Sequence, residues 1–128
     1  MSYLMQHLTR APGRVLPLGR GVRVDEHTRL NLPGYYAGAY VRVLVEDTSR
    51  RAEKRWLRRS APPSPQLVLQ IADCVNQINL EFDLSDEGFR ENSIFKIETL
   101  LGALERFRDG LVAEAELREQ RERQLAAR

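Results

Sequence analysis

The spacing of apolar residues between positions 34 and 113 predicts three amphipathic helices. Within each of three segments, apolar side chains recur every three or four residues, which places them on one face of a helix. The first stripe runs from Val41 to Trp56, the second from Val68 to Phe82, and the third from Ile97 to Leu111. Because breaks separate the segments, we expect the helices to pack as an antiparallel bundle.

Local signals support the ends of these predicted helices. Pro33-Gly34 precedes the first helix, and the proline-rich stretch between positions 60 and 65 ends it. Ser64 is a suitable N-cap for the second helix, and Pro65 suits its first position. The third helix is expected to begin between Asp86 and Asn92, after a polar loop.

The first 33 residues follow a different pattern. Val22 and Val24 alternate with a polar residue, and so do Leu30 and Leu32, with a polar stretch between the two pairs. A period of two predicts a short β-hairpin or an extended arm. Two strands are only marginally stable alone, so we expect this piece to lie on the rest of the protein or to pair with another chain.

Taken together, the patterns predict a mostly α-helical fold, a three-helix antiparallel bundle with an N-terminal β-hairpin or extended arm. We expect a single domain over residues 1–128, with the arm or hairpin at 1–33, the helical core at 34–113 and a polar C-terminal helix or tail at 114–128. Three helices of this length cover one another's apolar stripes only partly, so we also expect a homo-oligomer that completes the core.

Composition limits the class of protein. The chain has 128 residues, 30% of them charged, which is typical of one globular domain. No apolar run approaches the roughly 20 residues that a membrane span needs, and we expect no membrane association. The single cysteine, Cys74, excludes an internal disulfide, so we expect a reducing, cytoplasmic compartment.

A cluster of six cations in ten residues is the strongest functional signal. On the predicted first helix these cations cover about half the circumference, and Trp56 lies on the remaining side. Arginine binds phosphate oxygens in pairs, and counterion release gives sequence-independent affinity for a nucleic-acid backbone. The candidate nucleic-acid-binding residues are Arg50, Arg51, Lys54, Arg55, Arg58 and Arg59, with Arg14, Arg20 and Arg23 of the arm as further contacts.

Two other interpretations explain the same cations. They stabilise a helix C-terminus through its dipole without any ligand, or they dock onto the acidic segment Glu81 to Glu91 of the same chain or of a neighbour. The first functional hypothesis is therefore a non-catalytic accessory subunit of a nucleoprotein assembly. The second is a structural or scaffolding oligomer that binds protein partners through its arm and C-terminal helix, without nucleic acid.

No other motif predicts a catalytic, metal or cofactor site. The segment Asp83 to Ile94 begins like a calcium loop, but Ile94 stands where a bidentate glutamate is needed, and an acidic first turn of the third helix explains the same residues. Cys74 is expected to be half-buried and structural. His7 and His27 have no ligand-like spacing. We expect no enzymatic activity and no cofactor.

Overall fold

The structure, a computed structural model, describes residues 21–35, 38–48 and 64–128, and in these residues it contains four strands and one helix. The described residues divide into two compact units, one ending at Ser93 and the other comprising Ile94–Arg128. The elements are β1 (Val22–Arg29), β2 (Tyr40–Glu46), β3 (Gln66–Asp73), β4 (Asn76–Leu80) and α1 (Glu87–Ala126).

The four strands form one antiparallel sheet in the order β1-β2-β3-β4, so each strand pairs with the next one along the chain. The predicted three-helix bundle is therefore wrong, and the fold is mixed α/β. The described part of the first predicted helix contains β2, and the second predicted helix is the hairpin of β3 and β4. Within the described residues, the third predicted helix is the one present, as α1.

The apolar residues of the sheet show why the helical prediction failed. Val41, Val43 and Val45 alternate along β2, and the paired residues of β3 are also apolar. Branched residues at alternate positions favour a strand, whereas a spacing of three or four is found by chance when nearly every position is apolar. The register places on one face, the apolar face, Val24, Val41, Val43, Val45, Leu67, Leu69, Ile71, Ile78 and Leu80.

The predicted N-terminal hairpin is also only partly right. The polar stretch that was expected to connect two short strands lies inside β1, and the partner of β1 is β2 rather than the segment around Leu30. The chain reverses through Leu32 to Tyr35, where the Tyr35 amide donates to the Leu32 carbonyl at 3.1 Å. Pro33 followed by Gly34, with φ of 91° at the glycine, fits a type II turn.

The turn between β3 and β4 lacks the usual hairpin residues. Asp73 pairs with Asn76, so only Cys74 and Val75 lie in the loop, and Cys74 has φ of 54°. A positive φ at the first loop residue is typical of a type II′ turn, which favours glycine there. Cys74 is exposed rather than half-buried in a helix, which corrects the expectation from the sequence.

Replacing Cys74 with glycine is expected to stabilise the hairpin. Glycine removes a left-handed-region penalty of about 1–2 kcal/mol, offset by a greater loss of backbone entropy of about 0.5–1 kcal/mol. We expect a net gain of about 0.5–1 kcal/mol in the free energy of unfolding, measured by urea titration. Cys74→Ala keeps the Cβ atom and is the control; an equal gain from alanine would contradict the role of the positive φ.

Burial in the described residues is limited. The buried apolar residues among them are Ala39, Leu44 and Ala72, and no large side chain is fully buried. Residues of the apolar face are half-buried, and Ile78 is exposed. This part of the chain therefore leaves apolar surface accessible to a partner.

The start of α1 is fixed by side-chain hydrogen bonds. Asp86 Oδ1 accepts from the Phe89 amide at 2.8 Å, which is an N-cap contact. The hydroxyl of buried Ser93 accepts from the Asp83 amide at 2.9 Å and donates to the Asp83 carbonyl at 2.8 Å. Hydrogen bonds from the hydroxyl and the amide of Ser85 lower the pKa of Asp83. These contacts support the interpretation of the segment Asp83 to Ile94 as the capped start of a helix.

From its first turn, α1 runs for 40 residues and includes the polar segment after position 114. At its polar end, Arg118 lies 3.2 Å from Glu122 and Arg123 lies 4.0 Å from Glu119, both at the i,i+4 spacing. In the described part of the chain, no helix has the length and apolar content needed to cross a membrane.

Candidate functional site

The six predicted phosphate-binding cations belong to the connection between β2 and β3. All six cations, from Arg50 to Arg59, lie outside the described residues. The basic helix face therefore stays a prediction. The two ends of the connection are described. Thr48 Oγ1 donates to the Ser64 carbonyl at 2.7 Å, which holds the ends of the connection together next to Glu46 and Gln66 of the sheet.

One of the three additional arginines of the arm is described. Arg23 lies in β1, with a guanidinium nitrogen 3.9 Å from Asp47. Arg14 and Arg20 fall outside the described residues. Because Arg23 has a carboxylate nearby, it contributes less positive potential to that end of the sheet than the sequence alone indicates.

The sheet carries a second polar surface that the sequence analysis did not identify. Two neighbouring cross-strand rows, on the face opposite the apolar face, consist of polar side chains and Ala72. With strands about 4.8 Å apart, each four-strand row spans about 14 Å. We call this surface the polar patch; its residues are His27, Arg29, Tyr40, Arg42, Gln70, Gln77 and Asn79.

A chain of hydrogen bonds crosses the polar patch. The Tyr40 hydroxyl donates to Gln70 Oε1 at 2.9 Å, and Gln70 Nε2 donates to Asn79 Oδ1 at 3.1 Å. This direction leaves the Asn79 amide nitrogen as a donor at the exposed end of the chain. At the other end, the rings of His27 and Tyr40 have centroids 4.5 Å apart and are tilted by 39°.

The polar patch is positively charged at neutral pH. Arg29 and Arg42 lie in adjacent rows, and neither arginine forms an ion pair with another of the residues that the structure describes. No carboxylate occupies either row; on this face, Asp25 is one row further along β1. The patch thus combines two cations, two aromatic rings and amide donors. Of its residues, Tyr40, Arg42 and Gln70 are half-buried and the other four are exposed.

A third surface is the apolar stripe of α1, which we define as Ile97, Leu100, Leu101, Leu104, Phe107 and Leu111. Leu104 is 50% exposed and Phe107 is 69% exposed. Ile97, Leu100, Leu104, Phe107 and Leu111 follow the alternating three- and four-residue spacing of a coiled-coil seam over two heptads. This stripe was predicted from the sequence as buried core, but four of its six side chains are exposed.

Comparisons with known proteins add no assignment. The chain matches no protein-family model, no curated protein and no solved structure. The three surfaces therefore have to be interpreted from their own chemistry.

The described residues contain no group of three or more histidine, cysteine or acidic side chains that could hold a metal ion. In the segment from Asp83 to Ile94, Asp83 Oδ1 accepts from the Ser85 amide in the loop, and Asp86 Oδ1 accepts from the Phe89 amide in the first turn of α1. Cys74 is exposed in the turn between β3 and β4, and His27 belongs to the polar patch. His7 lies outside the described residues.

Proposed function

We propose that the protein is a non-catalytic accessory subunit of a nucleoprotein assembly that binds the backbone of nucleic acid. The observation that carries this proposal is the position of the six-cation cluster on the connection between two paired strands. The Thr48–Ser64 hydrogen bond joins the ends of that connection. Segments positioned by a rigid sheet frequently carry binding residues, because the sheet fixes where the segment begins and ends.

Electrostatics supports binding that does not depend on sequence. Arg50, Arg51, Lys54, Arg55, Arg58 and Arg59 bring six positive charges into ten residues that contain one acid, Glu53. Each cation that neutralises a phosphate releases a condensed counterion, which favours binding at low salt. The arginines of the polar patch, Arg29 (exposed) and Arg42 (half-buried), extend the positive charge onto the sheet.

A salt series tests this proposal. Affinity for duplex and single-stranded oligonucleotides is measured by fluorescence anisotropy at salt concentrations from about 50 to about 400 mM, a range in which counterion release controls the affinity. Wild type is expected to lose affinity steeply as salt rises. A variant with Arg51, Lys54, Arg55 and Arg58 changed to glutamate is expected to bind weakly. For duplex, its slope of log affinity against log salt concentration is expected to be flatter by about 0.9 for each phosphate that the variant no longer neutralises.

In a control variant with the same change in charge, four arginines at the end of α1 are changed to glutamate: Arg118, Arg121, Arg123 and Arg128. This variant is expected to keep most of the wild-type affinity, because these residues lie outside the proposed site. Equal reductions of affinity in the two variants would show that only net charge matters. Absence of salt-sensitive binding by wild type would contradict the proposal.

A second candidate function is a structural or scaffolding oligomer, and the exposed apolar stripe favours it. Burial of a leucine-sized side chain removes about 60–120 Å² of apolar surface, so six side chains from each of two copies bury about 1,000 Å². That area is near the lower limit for a specific interface. A second copy of the chain is therefore the proposed occupant of the stripe, and other protein subunits are the alternative occupants.

Both candidate functions are compatible with a reducing, cytoplasmic compartment, which we also propose. The chain contains one cysteine, Cys74, and that thiol is free and exposed in the structure. An exposed thiol persists most readily where glutathione and thioredoxin keep it reduced.

A further inference from the structure

We propose that the polar patch binds the unpaired bases of single-stranded nucleic acid. This inference rests on the proposed function and extends it, since it names the form of nucleic acid that the protein prefers. The basic connection would hold phosphates of any nucleic acid, whereas the patch would contact bases that are accessible only when the strands are separated.

The rings of the patch provide the surface for stacking. His27 is exposed on β1, and its ring lies against that of Tyr40 on β2, at a centroid distance of 4.5 Å. Aromatic side chains on a sheet surface stack against splayed bases, and every base offers a π face for this contact. In a duplex, the bases already stack on each other and are not available to the patch.

The hydrogen-bond chain across the patch supplies polar contacts of fixed direction. Because Tyr40 donates to Gln70 and Gln70 donates to Asn79, the amide group of Asn79 ends the chain as an outward donor. The oxygen and ring-nitrogen acceptors on the edges of bases suit such a donor. These hydrogen bonds hold the side chains of Tyr40 and Gln70 in place before a ligand arrives.

The charge of the patch matches a polyanion. Arg42 stands between His27 and Gln70 in one row, and Arg29 stands beside Tyr40 in the next. Neither row contains a carboxylate. A phosphate that follows a base bound on the rings would meet one of these guanidinium groups, which bind phosphate oxygens in pairs. An acidic peptide would satisfy the arginines but would leave the rings without a base to stack on.

Three 12-nucleotide probes test the inference, each labelled and titrated by anisotropy at one salt concentration. They are a mixed-sequence single strand, the same strand as a duplex, and an abasic single strand with the same phosphates; the single strand is prepared as both DNA and RNA. The single strand with bases is expected to bind at least tenfold more tightly than the abasic strand and than the duplex, since each stacked base contributes about 1–3 kcal/mol.

Two variants with matched controls locate the site. Asn79→Asp replaces the outward donor with an acceptor and adds a negative charge, and it is expected to weaken binding of the single strand at least tenfold. Asn76→Asp makes the same change on β4, at an exposed position of the opposite face, and is expected to change binding less than twofold. His27→Ala is expected to reduce the preference for bases, and Thr28→Ala on the opposite face is its control.

The results separate this inference from the proposed function. Equal binding of abasic and base-containing strands, or equal effects of Asn79→Asp and Asn76→Asp, would overturn the inference while leaving backbone binding by the basic connection intact. Loss of binding in Asn79→Asp together with full binding by the charge-reversed connection variant would overturn the role of the connection and support the patch. Tight binding of an acidic peptide in place of every oligonucleotide would overturn both.

Discussion

Replacement of Leu104 by aspartate is expected to lower the mass of the protein in solution to the 14.7 kDa of one chain. Leu104 lies at the centre of the apolar stripe and is 50% exposed in the isolated chain. If two copies pair through this stripe, the new carboxylate is buried at the interface in both copies. Burial of an unpaired charge is unfavourable enough to weaken the dimer by at least 100-fold, or about 3 kcal/mol.

Light scattering and sedimentation over a dilution series measure this effect. Ala113→Asp introduces the same charge on the side of α1 nearly opposite the stripe, and this control is expected to keep the wild-type mass. Circular dichroism shows whether both variants retain α1. Wild-type protein that is already monomeric at tens of micromolar would contradict self-association through the stripe.

Leu44→Ala is expected to lower the free energy of unfolding of the sheet by about 2–3 kcal/mol, which changes the unfolding equilibrium about 30- to 150-fold. Leu44 is buried, with 8% of its surface exposed, in the second strand of the sheet. Its paired neighbours on the same face of the sheet are Asp25 on β1 and Val68 on β3, so a shorter side chain leaves a cavity on that face. The decrease combines reduced apolar burial with that cavity.

Native-state hydrogen exchange of β2 and β3 amides reports the sheet separately from α1. Leu30→Ala is the matched control, because Leu30 is 53% exposed and its truncation leaves no cavity. We expect that control to change the free energy by less than about 0.5 kcal/mol. Equal destabilisation by the two substitutions would show that Leu44 does not belong to the packed part of the sheet.

The positions of helix and strands differ in how well the sequence predicts them. The start of α1 was predicted correctly because its signals are local: Asp86 caps the helix, and the apolar stripe then repeats without interruption. The segment of β3 and β4 was predicted as a helix because Val68, Ile71, Ala72 and Val75 also fit a helical spacing. The turn that separates the two strands has Cys74 at the position where a glycine or asparagine would have marked it in the sequence.

The candidate surfaces differ in the same way. The six-cation cluster is evident from the sequence, because its members are contiguous. The polar patch could not be predicted, because His27, Arg42, Gln70 and Asn79 are far apart in the chain and become neighbours only through the strand register. A shift of one residue in any strand would move its side chain to the opposite face.

By itself, the sequence determined α1, the stripe of apolar residues along it and the concentration of positive charge between Arg50 and Arg59. These features depend on residues within a few positions of each other, where helix geometry and charge act directly. Only the tertiary structure decided that the middle of the chain forms a sheet and that its polar side chains form one patch. Pairing of strands joins distant segments through backbone hydrogen bonds, and no single segment of the sequence specifies which residues of another segment it will face.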